Sequence, residues 1–495
     1  MTAPVLAGSR TTRTVVAGAL LVFAAPLMAL LVAGGQSGIA LGLLLAIPGL
    51  VFLYRNPFIA LPIWLLVTPL VTETSGAGLL RKVFWVFHRG LPLLAVLAVL
   101  VAALSGKRRL PRLGWAELAI AGYVVISLVS IAYTSGTALT TFYLFFDRVL
   151  APVSIYLLVR LLEPTEEQLK KLVTPLAIFI AIQTFIGMAS WVAPGMLPDH
   201  WLERLGTRTI GSLGHPNVFG VSMLTAALVM IHALHTDSER PRQRRWLFGV
   251  AIVMVFMTFS RASWVAGAVV VLGLWAVYRR FMTRFLIVGT IAISLLVAVG
   301  TIGGQMQFAR DRLLAEESAL SRLPVVYASV RMFGAKPLTG WGYGNFDKFD
   351  RSFQGQVGDI VFPEKDHASH NLYLTILAEQ GLPGLVLFLG PAIWWFVRYR
   401  RGRANLESDG FANRKLLALL WLALVAHLVV NNFSNMRVEF GLGMWWLTLG
   451  LVGSLEARTK KTVEVQIRDG GRLQGLMTRH RLRLSRPEET SWQGR

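Results

Sequence analysis

Long apolar runs recur along the chain from residue 15 to residue 455. A helix that crosses a membrane needs about 20 mostly apolar residues, and by that standard the chain has about fourteen candidate spans. They lie at approximately 15–34, 38–54, 57–72, 89–105, 115–133, 143–161, 172–193, 217–235, 246–260, 263–278, 284–303, 371–397, 415–432 and 438–455. The shortest runs could only dip into the bilayer, which would leave about twelve spans. The pattern predicts an all-α, polytopic membrane protein with about 12–14 transmembrane helices.

The first apolar run follows Arg10 and Arg13. A secretory signal peptide also begins with basic residues, but its apolar region has only about 7–15 residues and ends at a small-residue cleavage site. The run at 15–34 is longer, and further spans follow it. We therefore interpret it as the first transmembrane helix.

Basic residues fall mainly on every second loop between the predicted spans. Examples are the clusters at 107–109, 240–245, 279–280 and 398–403. Because cytoplasmic loops are enriched in Lys and Arg, this alternation predicts that both termini are cytoplasmic. The net charge of +22 is thus mainly a signal of topology, and no nucleic-acid partner is predicted.

The chain is expected to comprise three parts, and the boundary near residue 205 is where the resemblance described below begins. Residues 1–204 are predicted to be N-terminal transmembrane helices, and residues 205–455 a second membrane domain that includes a long outer loop. The tail at 456–495 is strongly basic, and we expect it to be a disordered cytoplasmic segment close to anionic lipid headgroups.

Composition excludes several kinds of chemistry. Only 15% of the residues are charged, against about 25% in an ordinary soluble domain, so the chain's surroundings are largely lipid. The chain has no cysteine, which excludes disulfides, thiolate catalysis and cysteine-ligated metals. The nearest approach to a paired acidic motif is Glu364-Lys365-Asp366, which a solvated loop explains equally well. No metal site and no cofactor are predicted.

The segment 304–370 is too polar to span a membrane and too long for a passive connection. Loops beyond about 15 residues are usually functional or disordered. Its aromatic residues and glycines, among them Trp341, Tyr343, Phe346 and Phe349, suggest a packed structure with helix around 308–334. We predict that this long extracytoplasmic loop carries the chemistry.

Two arginines are candidate anion-binding groups. Arg261 stands between two apolar runs at the outer surface, where a charge is costly and commonly functional. The alternative is an arginine that extends its side chain to lipid phosphates. Arg322 lies in the long loop, where solvation at the surface is the default interpretation.

His370 ends the long loop directly before a predicted span. An imidazole at a membrane mouth is well placed to act as a general base, because its pKa lies near the working pH. An interfacial histidine with a structural hydrogen bond is the alternative. His367 could substitute for His370.

Further polar residues could support such a site. Pro216 and Asn217 follow His215 at the start of another span, where capping of the helix is at least as plausible as a direct role in catalysis. Candidate supporting residues are Asn371, His215, Asn217, Arg208, Arg81 and Arg89.

Several short motifs occur in a recognisable order. They are Gly-His215-Pro-Asn217, then Ser260-Arg261 opening a span, then Pro337-Leu-x-Gly-x-Gly-x-Gly-x-Phe346, then His370-Asn-x-Tyr-Leu with Glu379-x-Gly381-x-x-Gly384. In this order they resemble the O-antigen ligase and O-antigen polymerase superfamily, over roughly residues 205–450.

The resemblance implies a membrane glycosyltransferase of the bacterial cytoplasmic membrane whose active site faces the periplasm or the cell exterior. Such enzymes move a glycan from a polyprenyl-pyrophosphate carrier to the lipid A core (ligases) or to a second carrier-linked glycan (polymerases), without metal in ligases of this kind. It implies that His370 deprotonates the acceptor hydroxyl, and that Arg261 and Arg322 hold the pyrophosphate. Direct attack by the acceptor would invert the anomeric centre.

Two other functions remain open from the sequence. An anion or bicarbonate transporter would place polar residues near the bilayer midplane, often within repeated halves. A peptidoglycan-type glycan polymerase would depend more on an acidic residue of the outer loop, such as Glu364 or Asp366.

Overall fold

A computed structural model describes residues 48–72, 79–133, 138–203, 207–237, 239–299, 303–314, 322–357, 360–361, 369–402, 409–434 and 438–457. The first predicted span, at 15–34, and almost all of the basic tail lie outside these residues. The described part is helical except for one short antiparallel hairpin, so the all-α membrane fold is confirmed.

The described residues of the N-terminal half form nine α-helices. They are α1 (Pro48–Arg55), α2 (Ala60–Val71), α3 (Leu79–Phe84), α4 (Leu91–Leu104), α5 (Trp115–Ser130), α6 (Ala138–Phe145), α7 (Ala151–Leu162), α8 (Glu166–Lys171) and α9 (Val173–Val192). Two π-helical segments, Trp85–Gly90 and Phe146–Leu150, join α3 to α4 and α6 to α7. Short 3-10 turns lie at Pro57–Ile59, Ile131–Tyr133, Pro194–Met196, Asp199–Trp201 and Gly211–Leu213.

The C-terminal half contains the long loop between membrane helices. Its helices are α10 (Pro216–Thr236), α11 (Pro241–Phe256), α12 (Arg261–Val277), α13 (Arg279–Ala298), α14 (Gly303–Leu314), α15 (Leu323–Ala335), α16 (Phe346–Gln354), α17 (Leu372–Gly402), α18 (Arg414–Phe433) and α19 (439–457). The strands β1 (Gln356–Val357) and β2 (Ile360–Val361) form the hairpin.

Each predicted span from 57–72 onward coincides with a helix, although the helices differ in their capacity to cross a bilayer. Of the second predicted span, 38–54, only residues 48–54 are described, and they are helical. In the described part of the chain, seven helical segments are long and apolar enough to span, or eight if α1 and the segment Pro57–Val71, which meet at 107°, count as one broken span. Helices α5 and α12 are apolar but have only 16 and 17 residues. The higher count of 12–14 depends on such short helices and on 15–34, and it stays a prediction.

Helix α10 lies at the centre of the bundle. Of its apolar window 83% is buried, against 6% for α13, which is the most exposed of the seven spans. Helices α9, α11, α12 and α18 pack around α10. The exposed face of α13 carries large apolar side chains such as Ile291 and Leu295, as expected for a helix that faces lipid.

The part of the outer loop around α15 and α16 is packed, as the sequence predicted, and helix occurs at both ends of the predicted segment 308–334, in α14 and α15. Helix α15 lies against α16 and α17. The side chains of Val325, Met332 and Phe346 form a small core of their own with Ala378 of α17, and Trp341 packs against it. The outer loop is therefore attached to the membrane bundle through α17.

Candidate active site

A cavity of about 560 Å³ opens where α10, α12, α15 and α17 begin. The first residues of all four helices, or the residues that cap them, line its wall. The backbone N–H groups of a helix's first turn have no partners within the helix, and the helix dipole makes this end electropositive. Four such ends around one cavity create an environment that favours an anion.

The wall formed by α10 begins with a histidine that caps the helix. Nδ1 of His215 accepts a hydrogen bond of 3.2 Å from the backbone N–H of Asn217, and Pro216 occupies the first helical position. Burial lowers the pKa of His215 to about 4, and the nearby charges of Arg208, His370 and Arg322 act in the same direction. His215 is therefore neutral at pH 7, which keeps Nδ1 available as the acceptor of the cap.

The wall formed by α12 begins with an unusual backbone conformation. Phe259 has φ +44°, which is rare for a bulky residue, and its buried ring packs against Trp191, Trp264 and Phe308. Strained positions of this kind cluster at functional sites. The conformation places Ser260 as the cap of α12 and Arg261 as its first residue, with both residues lining the cavity.

A hydrogen bond joins the walls formed by α10 and α12. The hydroxyl of Ser260 donates to the side-chain carbonyl of Asn217, and both side chains are buried. Arg208 contacts the same region, since its guanidinium lies 3.4 Å from the carbonyl oxygen of Phe259. The motif at 215–217 and the motif at 260–261 are thus joined by a hydrogen bond and form one continuous part of the cavity wall.

The third wall adds a second arginine to the cavity that Arg261 lines. Arg322 precedes the first residue of α15 and is partly buried at the cavity. Burial lowers the pKa of Arg322, and the positive charge of Arg261 lowers it further. An arginine remains protonated under such conditions. A bound anion would therefore relieve the repulsion between the two guanidinium groups.

The fourth wall carries His370 immediately before the cap of α17. Oδ1 of Asn371 accepts hydrogen bonds from the backbone N–H groups of Tyr373 (2.9 Å) and Leu374 (3.0 Å). The amide nitrogen of Asn371 donates to Oδ1 of Asn432 at 2.8 Å, which ties α17 to the end of α18. These contacts give Asn371 a structural role and fix the position from which His370 lines the cavity.

A break in α17 positions this wall. At Gly381 (φ 68°, ψ −170°) the helical conformation is interrupted, and the carbonyls of Ala378 and Glu379 accept hydrogen bonds from the N–H groups of Trp341 and Gly342. In return, the N–H of Leu382 donates to the carbonyl of Pro337 at 2.8 Å. The glycine motifs around 340–344 and 381 thus dock the outer loop onto α17 by close backbone contact.

The structure brings together seven of the nine residues that the sequence singled out. All seven line the cavity: Arg208, His215, Asn217, Arg261, Arg322, His370 and Asn371. Arg81 is exposed and does not line it. Arg89 is also elsewhere, with its guanidinium bound to both carboxylate oxygens of Asp147 (2.6 Å for one contact) and lying over the ring of Trp85.

Other sequence candidates lie outside the described residues, namely Glu364, Asp366 and His367. Within the described ranges, no group of three or more His, Asp or Glu side chains could hold a metal ion.

Three participants were missed by the sequence interpretation. Ser260 was treated only as the neighbour of Arg261, and neither Phe259 nor Asn432 was considered. The pair Asn431-Asn432 at the end of an apolar run could have indicated that the end of α18 takes part in a polar site. No sequence signal marks the positive φ of Phe259, because such a conformation follows from packing around the ring.

Residues 246–389 match a family model described as O-antigen ligase. The chain is thus similar to the O-antigen ligase family. The resemblance predicted from the motifs is confirmed over this range, which contains Ser260, Arg261, Arg322 and His370. His215 and Asn217 precede the matched range but share the cavity with it. No protein of curated function matches the chain.

Proposed function

We propose that this O-antigen ligase- or polymerase-type membrane enzyme transfers a glycan from a polyprenyl-pyrophosphate carrier to an acceptor sugar at the outer face of the bacterial cytoplasmic membrane. The observation that carries the proposal is the convergence of His370 with Arg261 and Arg322 in a cavity formed by four helix N-termini. One wall of the cavity carries a general base, His370. The other walls carry arginines and helix N-termini that suit a pyrophosphate.

The pyrophosphate is the group for which the arginines are suited. When the bond between the anomeric carbon and the pyrophosphate oxygen breaks, negative charge develops on the leaving oxygen. Guanidinium groups stabilise such charge through planar, charge-assisted hydrogen bonds. Because Arg261 and Arg322 line one cavity before the donor binds, little reorganisation is needed when the charge appears.

His370 would accept the proton from the acceptor hydroxyl as its oxygen attacks the anomeric carbon. The new glycosidic bond forms as the bond to pyrophosphate breaks, so a single displacement inverts the anomeric centre. The neutral state of His215 matters for this step. A second imidazolium in the cavity would add positive charge beside His370 and disfavour its protonation.

The location of the cavity suits a donor with two unlike halves. It opens where membrane helices begin, so the polyprenyl chain could stay in the bilayer while the sugars extend to the periplasm or cell exterior. The same location disfavours the transporter alternative, which would need polar groups near the bilayer midplane. The peptidoglycan-type alternative depends on Glu364 and Asp366, and it stays a hypothesis.

Glycan transfer by membranes that contain single variants tests the assignments. We expect His370→Ala to reduce transfer by roughly 10²–10⁴-fold and Arg261→Ala or Arg322→Ala by roughly 10²–10³-fold. Arg310→Gln is the matched control, because it removes an exposed charge from the same outer loop without altering the cavity. If the His370→Ala protein inserts normally and still transfers glycan at a near-normal rate, His370 is not the general base.

The acceptor is identified by the glycan profile of a deletion strain. Loss of all long chains from lipid A would indicate a ligase that delivers glycan to the lipid A core. Single repeat units left on lipid A would indicate a polymerase whose acceptor is a second carrier-linked glycan. Lost exopolysaccharide with unchanged lipopolysaccharide would indicate a polymerase of another pathway.

A further inference from the structure

A second groove, of about 590 Å³, lies at the opposite end of the bundle from the active-site cavity. The groove is lined by His235 together with Arg245, Arg280, Arg284, Phe281, Phe285 and Val288. His235 stands near the last residue of α10, whereas His215 caps its first. A helix of 21 residues is about 30 Å long, which matches the hydrocarbon thickness of a bilayer. The two sites therefore open on opposite membrane faces.

We propose that this groove binds the phosphate headgroup of an anionic phospholipid in the cytoplasmic leaflet, with an acyl chain of the same lipid along α13. The proposal is independent of glycan transfer. It rests on the distribution of charge and apolar surface within the groove.

Three arginines from two helices form the polar end of the groove. Arg280 and Arg284 are four residues apart on α13, which puts them on the same face of that helix, and Arg245 faces them from α11. All three side chains are exposed, and in the described part of the chain none of them forms an ion pair. Asp237, which precedes α11, is already paired with Arg244. The positive charge of this end is therefore available to an external anion.

Phe281 lies level with the arginines, and beyond Arg284 the lining of the groove is apolar and continues along α13. Phe281, Phe285 and Val288 recur at the spacing of one helix face. Phe281 and Phe285 are held in place by ring contacts with Phe248 of α11. Val288 is 66% exposed on a helix that packs little against the bundle. From Arg280 to Val288 the groove runs about 12 Å along the helix.

This arrangement matches the two chemical parts of a phospholipid. A phosphate at the arginine end would lie at headgroup level, and a chain leaving it would contact the phenylalanines and Val288 within the hydrocarbon region. A soluble anion would use only the first part. The continuity of the arginine cluster with an apolar, lipid-facing helix is therefore the reason to assign a lipid.

Native mass spectrometry of the full-length protein with added phosphatidylglycerol or phosphatidylethanolamine tests the proposal. We expect preferential retention of phosphatidylglycerol by the unaltered protein. In the double variant Arg280→Gln with Arg284→Gln, its affinity should fall by about 25-fold, which is about fivefold for each charge removed. The control is Arg242→Gln with Arg279→Gln, which removes two neighbouring charges from the same helices without altering the lining of the groove.

Several results would overturn the assignment. If the control variant lost affinity for phosphatidylglycerol to the same extent, the overall surface charge would explain the binding without a specific site. Equal retention of both lipids by the unaltered protein would show that the headgroup is not recognised. Displacement of phosphatidylglycerol by an equal concentration of inorganic phosphate would identify a soluble anion as the ligand.

A conservative variant separates loss of charge from loss of fold. Arg280→Lys with Arg284→Lys keeps both positive charges, and we expect it to retain the preference for phosphatidylglycerol. If the lysine variant lost the preference for phosphatidylglycerol as completely as the glutamine variant, the site would not be electrostatic.

Discussion

The hydroxyl of Ser260 donates a hydrogen bond to the side-chain carbonyl of Asn217. This contact connects the first turns of α10 and α12 at the point where both form the cavity wall. Oγ of Ser260 also lies 3.5 Å from the backbone nitrogen of Ser263 and caps α12. One side chain thus stabilises a helix start and sets the distance between two parts of the proposed pyrophosphate site.

Ser260→Ala should therefore reduce both stability and activity. Loss of a helix cap costs about 1 kcal/mol, and a buried carbonyl left without its donor costs about 1–3 kcal/mol. We expect a lower thermal unfolding temperature in detergent and a clear reduction in glycan transfer, because Arg261 follows the altered cap directly.

Thr165→Ala is the matched control for this variant. Thr165 caps α8, at a distance from the cavity, through a hydrogen bond to the backbone N–H of Gln168. We expect a stability loss of about 1 kcal/mol or less with unchanged transfer at a permissive temperature. If both variants lose transfer in proportion to their stability, the Ser260 contact has no specific role in the site.

The docking of the outer loop depends on Gly340. A β-carbon at Gly340 would lie 2.3 Å from the carbonyl of Glu379, and the residue has φ +62°. Gly340→Ala should separate the loop from α17 and displace His370 and Arg322 relative to each other. The strained backbone alone costs about 1–3 kcal/mol. Limited proteolysis of the loop and the rate of glycan transfer measure the two effects.

Gly334→Ala is the control in the same loop. It lies in α15 with no atom within 4 Å of the added carbon. Alanine should be neutral or stabilising there by up to about 1 kcal/mol, because it favours helix more than glycine does. Equal protease resistance of the two variants would show that close approach at Gly340 does not hold the loop.

The glycines illustrate how far sequence reasoning extends. The glycines of the outer loop contributed to the prediction of a packed structure, and Gly340, Gly342 and Gly344 all have positive φ. The sequence could not identify what these glycines contact, because the carbonyls that they approach lie in α17, where its helical conformation is interrupted. The helices were predictable because each one follows from an apolar run of consecutive residues. The contacts between helices were not, because they join residues that are far apart in the sequence.

Arg89 shows the same limit for a charged residue. The sequence made Arg89 a candidate supporting residue of the site, but the structure pairs it with Asp147, 58 residues further along the chain. Both charges lie in π-helical segments, which hydrophobic periodicity does not reveal. Ser260 and Asn217 are likewise 43 residues apart, so the cavity they form could be inferred only by resemblance.

His215 should make the stability of the protein sensitive to acid. Its pKa is lowered from 6.5 to about 4 in the folded protein, mainly by burial. Below pH 6.5 the unfolded chain binds a proton that folded His215 does not. Stability should therefore fall as the pH decreases from about 6.5 towards 4, whereas this contribution is constant at higher pH.

His215→Gln should flatten this part of the stability profile. The glutamine side chain keeps an acceptor for the backbone N–H of Asn217 but has no proton to bind in this range. Thermal unfolding of both proteins in detergent, from about pH 8 to about pH 4.5, measures the difference. Parallel profiles of variant and unaltered protein would contradict a buried neutral histidine at this position.

The sidedness of the molecule can be tested directly, because the chain has no cysteine to remove. The distribution of basic loops predicts that α10 runs from the outer face to the cytoplasm. Leu338, exposed in the outer loop, and Arg242, exposed at the start of α11, then lie on opposite sides. We expect a membrane-impermeant maleimide to label Leu338→Cys in intact cells with a permeabilised outer membrane. Arg242→Cys should react only after the inner membrane is opened. The opposite pattern would place the cavity in the cytoplasm, where periplasmic acceptors could not reach His370.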